Sequence, residues 1–439
     1  MSMSFFRPTS ESTPHPLGHP ELDSGSSRKE DPGSKPGMTT SVLGESTLHE
    51  AIMDSVSSAR DSLPKEHHKH FETLRQEIID FTQAQGIPRE ALAKPDLLRK
   101  AAEKLSTPNL ERLANLLERF EHLIVKKEPW TNKEALEYAE EHYRLKEQYD
   151  SQVELLEQVG ILMGDAIKGI DGNTYPIPTL EQIAIRLFER REILRTKHDQ
   201  GFTKLLLVPF GMSLDVLIET FKQFFLSYKE SHPDLDISDS YSFAIQKRYQ
   251  GADRGDTPSL VYYPKFFEEN GHRGKTKMQI LEGQEDNQNF FPGWTAHFFQ
   301  PSNTKTLKGF ATISQKDQRT LRGDENFRPP FEANKTPTEY LSILEEARGN
   351  SSSPYFQESG LTPEDWIMVF MTHFVETGKP IDASLTRDIN TSYLTGAFFP
   401  SSLRTPFMDW NSSLLQVYAG SHRCDIADIG FGLRSSVII

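Results

Sequence analysis

The sequence predicts an α+β protein in which a disordered tail precedes a helical region, a small α/β unit and a β-rich C-terminal domain. Three observations carry the α+β expectation. Apolar residues recur at helical spacing between about residues 65 and 160. A short apolar run, Phe202–Val208, has strand length and lies between two helical patterns. Beyond about residue 240, short apolar segments alternate with Gly, Asn and Asp clusters and with two well-capped helices. Aromatic content runs the same way: of 28 Phe, against 13 Tyr and 4 Trp, most lie beyond residue 200, which places the larger core in the C-terminal half.

In chain order, residues 1–62 are rich in Ser, Pro, Gly, Thr and Glu and carry few large apolar groups. Such a segment cannot bury enough surface to offset its ordering entropy, so it is expected to be disordered. The helical region, 63–165, opens with Phe71, Leu74, Ile78 and Phe81 on one face and is broken at Gly86-Ile87-Pro88. Thr107-Pro108 then starts a second stripe through Leu110, Leu113, Leu116, Leu117, Phe120 and Ile124. Thr131 and Glu134 have capping-box spacing, and one long charged helix is expected from there through Tyr138, His142, Leu145, Tyr149, Leu156 and Val159. Its near-heptad seam fits either packing on the earlier helices or a short coiled coil, and so a possible oligomer contact.

The α/β unit, 166–235, reads as a hairpin with Asp171-Gly172 at its tip, a Thr179-capped helix to about Arg195, the strand Phe202–Val208, and a Ser213-capped helix through Leu226. In the β-rich domain, 236–439, candidate strands are Ser259–Phe267, Thr276–Leu281 and Trp294–Gln300. Two helices follow, one from Thr336-Pro337 to Gly349 and one from Thr362-Pro363 to Gly378.

Composition narrows the function classes. A net charge of −14 opposes nucleic-acid binding, which needs a cationic face. The single cysteine, Cys424, cannot form an internal disulfide or a Cys-based metal site, and it reads as a small half-buried residue rather than a reactive thiol. No apolar run is long enough for a membrane span and no secretory h-region opens the chain, so a cytoplasmic protein is expected. No GxSxG, HExxH, CxxC or Walker motif occurs, and no cofactor or metal is expected.

The remaining clusters each have a plainer reading. Glu66–His70 places His67 and His70 at i,i+3, as metal ligands are, but a solvated helix start accounts for them. Pro209–Asp215 is a strand-to-helix turn that could face an anion, but it lacks the glycines and lysine of a phosphate loop. Glu364 and Asp365 could act as paired carboxylates, but a first helical turn explains both. His297 and His373 read as core histidines, and two Arg-Gly-Asp triplets, at 254–256 and 322–324, as polar loops.

The end of the chain carries a resemblance. Ser392–Ser402 (SYLTGAFFPSS), Trp410-Asn411-Ser412-Ser413, a strand-like Leu414–Gly420, a polar stretch Ser421–Asp428 and a terminal Gly432-Leu433-Arg434 follow one another. This succession resembles the C-type-lectin-like fold shared by formylglycine-generating-enzyme-type domains and the variable proteins of bacterial diversity-generating retroelements. With Gly360–Trp366 it also resembles a protein family of reduced-genome bacteria, which implies no activity. The catalytic cysteine pair of formylglycine-generating enzymes is missing. The resemblance implies a non-enzymatic module that binds a protein or other macromolecule through loops on a closed β scaffold. Its ligand-facing positions would be Trp410, Asn411, Gln416, Tyr418, Ser421, His422, Arg423 and Asp425, with Trp410 and Tyr418 also fitting a core role. The alternatives are a hydrolase-like enzyme with a cleft between the α/β unit and the β-rich part, and a structural or mobile-element scaffold.

Overall fold

The computed structural model describes residues 58–92, 94–102, 104–105, 107–127, 132–231, 243–285, 290–314, 328–384 and 390–439. The chain is α+β and divides into two compact units, one up to residue 131 and one from 132 onward. The expected tail lies outside the described residues as far as 57. Order begins earlier than its predicted end at 62, because Ser58–Asp61 forms a helical turn and Ala59 and Leu63 are buried.

The first unit is helical: α1 (His68–Ala84), α2 (Pro95–Ala102) and α3 (Thr107–Lys126). The two predicted stripes form its core. Phe71, Leu74, Ile78 and Phe81 from α1 are buried with Leu113, Leu116, Leu117, Phe120 and Ile124 from α3, and the Phe71 and Phe120 rings lie 5.0 Å apart. Gly86, at φ +68°, takes the left-handed conformation that ends α1, as its sequence position predicts.

In the second unit, the single long helix expected up to residue 159 is two helices, α4 (Asn132–Tyr143) and α5 (Leu145–Gln158). The break is at Arg144, whose φ of +49° leaves the helical region, with its guanidinium paired to Glu147. The seam of α5 is used within the chain rather than in a coiled coil. Its two polar members, Gln148 and Gln152, are buried, and their side-chain oxygens accept from the Leu205 and Leu207 amides. The Thr131 cap lies outside the described residues.

The predicted hairpin is β1 (Ala166–Lys168) with β2 (Thr174–Pro176), turned at Gly172 and held by the Asp171 carboxylate, which accepts from the Asn173 amide and the Tyr175 hydroxyl. Thr179 and Gln182 form a reciprocal capping box on α6 (Leu180–Glu189), and a separate helix, α7 (Arg191–Asp199), follows. The predicted strand is β3 (Lys204–Val208), buried at all five positions, and α8 (Leu214–Ser231) follows it.

Next come β4 (Phe243–Ile245), β5 (Val261–Tyr262) and α9 (Lys277–Glu285), the last where a strand was expected. A reciprocal pair of bonds between Thr276 and Gln279 starts this helix. Then follow β6 (Thr295–Phe299), β7 (Pro301–Asn303), β8 (Lys308–Phe310), α10 (Pro337–Arg348), β9 (Glu358–Gly360) and α11 (Pro363–Thr377). The chain finishes with β10 (Ala383–Ser384), β11 (Thr391–Tyr393), β12 (Ala397–Phe398), β13 (Arg404–Asn411), β14 (Gln416–Arg423), β15 (Phe431–Leu433) and β16 (Ser435–Ile438).

Two sheets organise this unit. One has the order β3-β6-β16-β9 with every pair antiparallel. The other has the order β15-β11-β13-β14-β4 and is built on the long β13–β14 hairpin. Between their strands runs α11, buried at every position from Pro363 to Phe374, mostly apolar but with Glu364, Asp365, Thr372 and His373 among the enclosed residues. Trp366 and Phe370 on α11 meet Phe221 of α8, and Phe370 also meets Trp410 of β13. The expected α/β unit and β-rich domain share one sheet, because β3 pairs with β6 along five positions.

Candidate functional site

The eight candidate ligand-facing residues lie on the β13–β14 hairpin and the loop after it, in three different settings. Trp410 is in the core, its ring stacked on Phe225 at 5.7 Å. Tyr418 is half-buried against Phe407, and Ser421 is buried with its hydroxyl donating to Gln246. Asn411 and Gln416 flank the hairpin tip, where the Asn411 side chain accepts from the amides of Ser413 and Leu414. His422, Arg423 and Asp425 lie at the other end of β14. Seven residue steps separate Gln416 from Arg423, about 23 Å at the usual strand rise, so tip and far end form separate surfaces.

At the far end, His422 packs between Tyr393 and Phe431, and its Nε2 is 3.4 Å from Asp428. Arg423 and Asp425 form a bidentate, exposed pair, which lowers the Asp425 carboxyl and raises the guanidinium. The loop from Cys424 to Gly430 is pinned at both ends. The Cys424 carbonyl accepts from the Thr338 amide and hydroxyl, and the Gly430 amide donates to Asn334. Between the pins stand Ile426 and Ile429, 43% and 77% exposed, beside Leu403 at 47%, whose carbonyl accepts from the Cys424 amide. These three apolar residues were not among the predicted positions. The signal available was an apolar pair set among acids in Asp425–Gly430.

Cys424 is buried, and its thiol is pushed up to about 12 by desolvation with Asp425 adding to it, so the thiolate a nucleophile needs is not formed near neutrality.

A second cluster lies in the interior. Lys277 donates to Asp253 and Glu364, each at 2.7 Å, and to the Met212 carbonyl, so all three ammonium protons are used. Burial opposes its charge, but Glu364 and Asp253 outweigh burial and hold the lysine above its usual range. Tyr262 also donates to Glu364. The neighbouring Asp365 caps α11 through the Thr362 amide and lies 3.2 Å from His297 Nε2, and His297 Nδ1 is 2.9 Å from Ser436 Oγ. Serine, histidine and aspartate thus stand in nucleophile–base–orienter order. That chemistry also needs room for a reacting atom about 3 Å from the serine oxygen. Ser436 is fully buried in β16, paired on both sides by β6 and β9, and His297 and Asp365 are equally enclosed. The Ser436–His297 bond therefore ties β16 to β6, while His297 Nε2 and Asp365 Oδ1 of α11 stand near each other without a hydrogen bond.

The other clusters resolve locally. The turn at Pro209–Asp215 meets a carboxylate of the chain itself, because Asp253 accepts the Leu214 amide at the start of α8. In the first Arg-Gly-Asp triplet Arg254 donates to Ser213; the second lies outside the described residues. Among the described residues no group of three or more His, Cys, Asp or Glu could hold a metal ion, and no helix is long and apolar enough to cross a membrane. A shallow groove of about 340 Å³ beside α8, lined by Asp215 and Glu219 among others, contains no His or Arg.

No protein-family model, no curated protein and no solved structure matches the chain.

Proposed function

We propose that the protein is a non-enzymatic binding protein whose C-terminal part is a C-type-lectin-like scaffold presenting the loop after β14 to a protein partner. One observation carries this reading. Ile426 and Ile429 stand exposed on a loop whose two ends are pinned by Thr338 and Asn334, with the Arg423–Asp425 pair at its start and exposed Leu403 beside it through the Cys424 amide. Exposed apolar groups rimmed by charge are the usual composition of a protein-contact site. A pinned loop loses little entropy on binding. The scaffold reading is supported by the antiparallel pairing of β6 with β16, which brings the beginning and the end of the segment from 295 to 438 side by side in one sheet. Of the eight predicted positions, His422, Arg423 and Asp425 belong to this surface.

Panning a displayed protein-fragment library against the full chain tests the proposal. Enriched binders should lose at least tenfold in affinity for an Ile426→Lys/Ile429→Lys double variant and keep it for Leu414→Lys at the hairpin tip. Binders indifferent to the double variant, or sensitive to both, would overturn it. If the loop is also diversified, the coding region should lie near a reverse transcriptase and a near-copy of the codons for 400–439 that differs mainly at adenines. Absence of both removes diversification and leaves the binding surface to the panning result.

A further inference from the structure

A small cleft of about 60 Å³ opens beside β6 and β16, and its polar lining is Gln300, Thr312, Ser314, Arg328, Arg434 and Ser435. The two arginines are held rigidly. Arg328 uses Nε and one Nη on the two oxygens of Glu358, at 2.7 and 2.6 Å. Its guanidinium carbon lies 5.4, 5.0 and 5.2 Å from the rings of Phe202, Phe331 and Tyr355. Arg434 donates to Asp382 at 2.5 Å and to the Ala311 carbonyl, but its Nε is buried with no hydrogen-bond acceptor. Glu358 also receives Lys197 at 2.7 Å.

Three cations, Lys197, Arg328 and Arg434, therefore stand against two carboxylates, Glu358 and Asp382, all of them buried or nearly so. One positive charge is in surplus and one buried N–H is unanswered, and both are costly where water cannot screen them. Burial draws the Lys197 ammonium below its usual range, and Arg328 adds to that while Glu358 opposes it. A bound anion would cancel the surplus and supply the missing acceptor.

We infer that this cleft binds a small oxyanion, a carboxylate or phosphate group, with the Arg434 Nε–H and the cleft hydroxyls as its donors. Size limits the ligand. One water needs about 10–15 Å³ of such space, so the cleft takes a single oxyanion with little else and excludes a nucleotide or a sugar ring. The oxyanion comes either from a free anion or from an acidic side chain of a partner.

The test uses the full chain labelled with ¹⁵N at arginine, with the Arg434 Nε–H resonance identified by its loss in R434K. Sodium acetate, sodium phosphate and a capped tetra-aspartate peptide are each titrated against sodium chloride at constant ionic strength. The expected result is a saturable shift of that resonance. Thr312→Glu, which puts a carboxylate at an exposed position of the cleft, should weaken it at least tenfold with no loss of thermal stability. A shift with acetate or phosphate assigns a free anion, and a shift with the peptide alone assigns a partner's side chain. An Arg434 resonance indifferent to all three, or a T312E chain that titrates like the parent, overturns the inference.

Discussion

His373 on α11 accepts the Phe310 amide at Nδ1, which only the neutral ring can do. Burial, and after it the cations of Arg434 and Lys204, lower its pKa to about 4. The unfolded chain takes up this proton near pH 6.5 and the folded chain near 4. The stability it provides is therefore complete above 6.5 and declines as pH falls towards 4, by about 3 kcal/mol in all. Denaturant melts from pH 7 to 4 should show this slope, and His373→Asn, which keeps an acceptor for Phe310, should flatten it. An unchanged slope would assign the titration elsewhere. Ser436 should not react with a fluorophosphonate probe in the folded protein, because no route leads to its hydroxyl; stoichiometric labelling lost in His297→Gln would instead establish a working nucleophile. Cys424 should likewise resist a thiol reagent until denaturant is added, when one thiol should titrate.

At the level of elements, α5 shows how a helix can complete a sheet. β3 is an edge strand whose outward amides at Leu205 and Leu207 are met by Gln148 and Gln152, one helical turn apart. Gln148→Leu should leave a buried donor unmet and cost about 1–3 kcal/mol, whereas Gln158→Leu on the solvent side should cost almost nothing. Urea melts of both variants measure the difference, and equal midpoints would remove the bracing role. Nothing in the local sequence announces this role, because the partners of the two glutamines lie some 55 residues away. Elements with local signals were legible: Thr179, Thr336 and Thr362 each cap the helix expected of them. The Thr276–Gln279 capping pair was equally present, but the short apolar spacing after it imitates a strand, and the charge of Lys277 that fixes α9 is balanced only by distant Asp253 and Glu364. The break at Arg144 has no glycine or proline to announce it.

At the scale of the molecule, the loop after β14 was legible as polar and irregular, but its placement was not. Its distance from the hairpin tip follows from the length of β14, and the burial of Trp410 follows from α8 and α11 closing over β13. The two units keep separate hydrophobic cores, one around Phe71 and Phe120, the other around Trp366 and Phe370. Each unit has a hydrophobic core of its own, so each should unfold cooperatively by itself. Calorimetry of the full chain should then show two transitions. The smaller, from the helical unit, should have an enthalpy of about 50 kcal/mol, from roughly 0.7 kcal/mol for each of some 70 residues. It should also melt first, because a domain of that size buries a smaller fraction of its surface. A chain starting at residue 132 should lose that transition and keep the larger one at its original midpoint. A single transition that moves as a whole on truncation would show instead that the two cores unfold together.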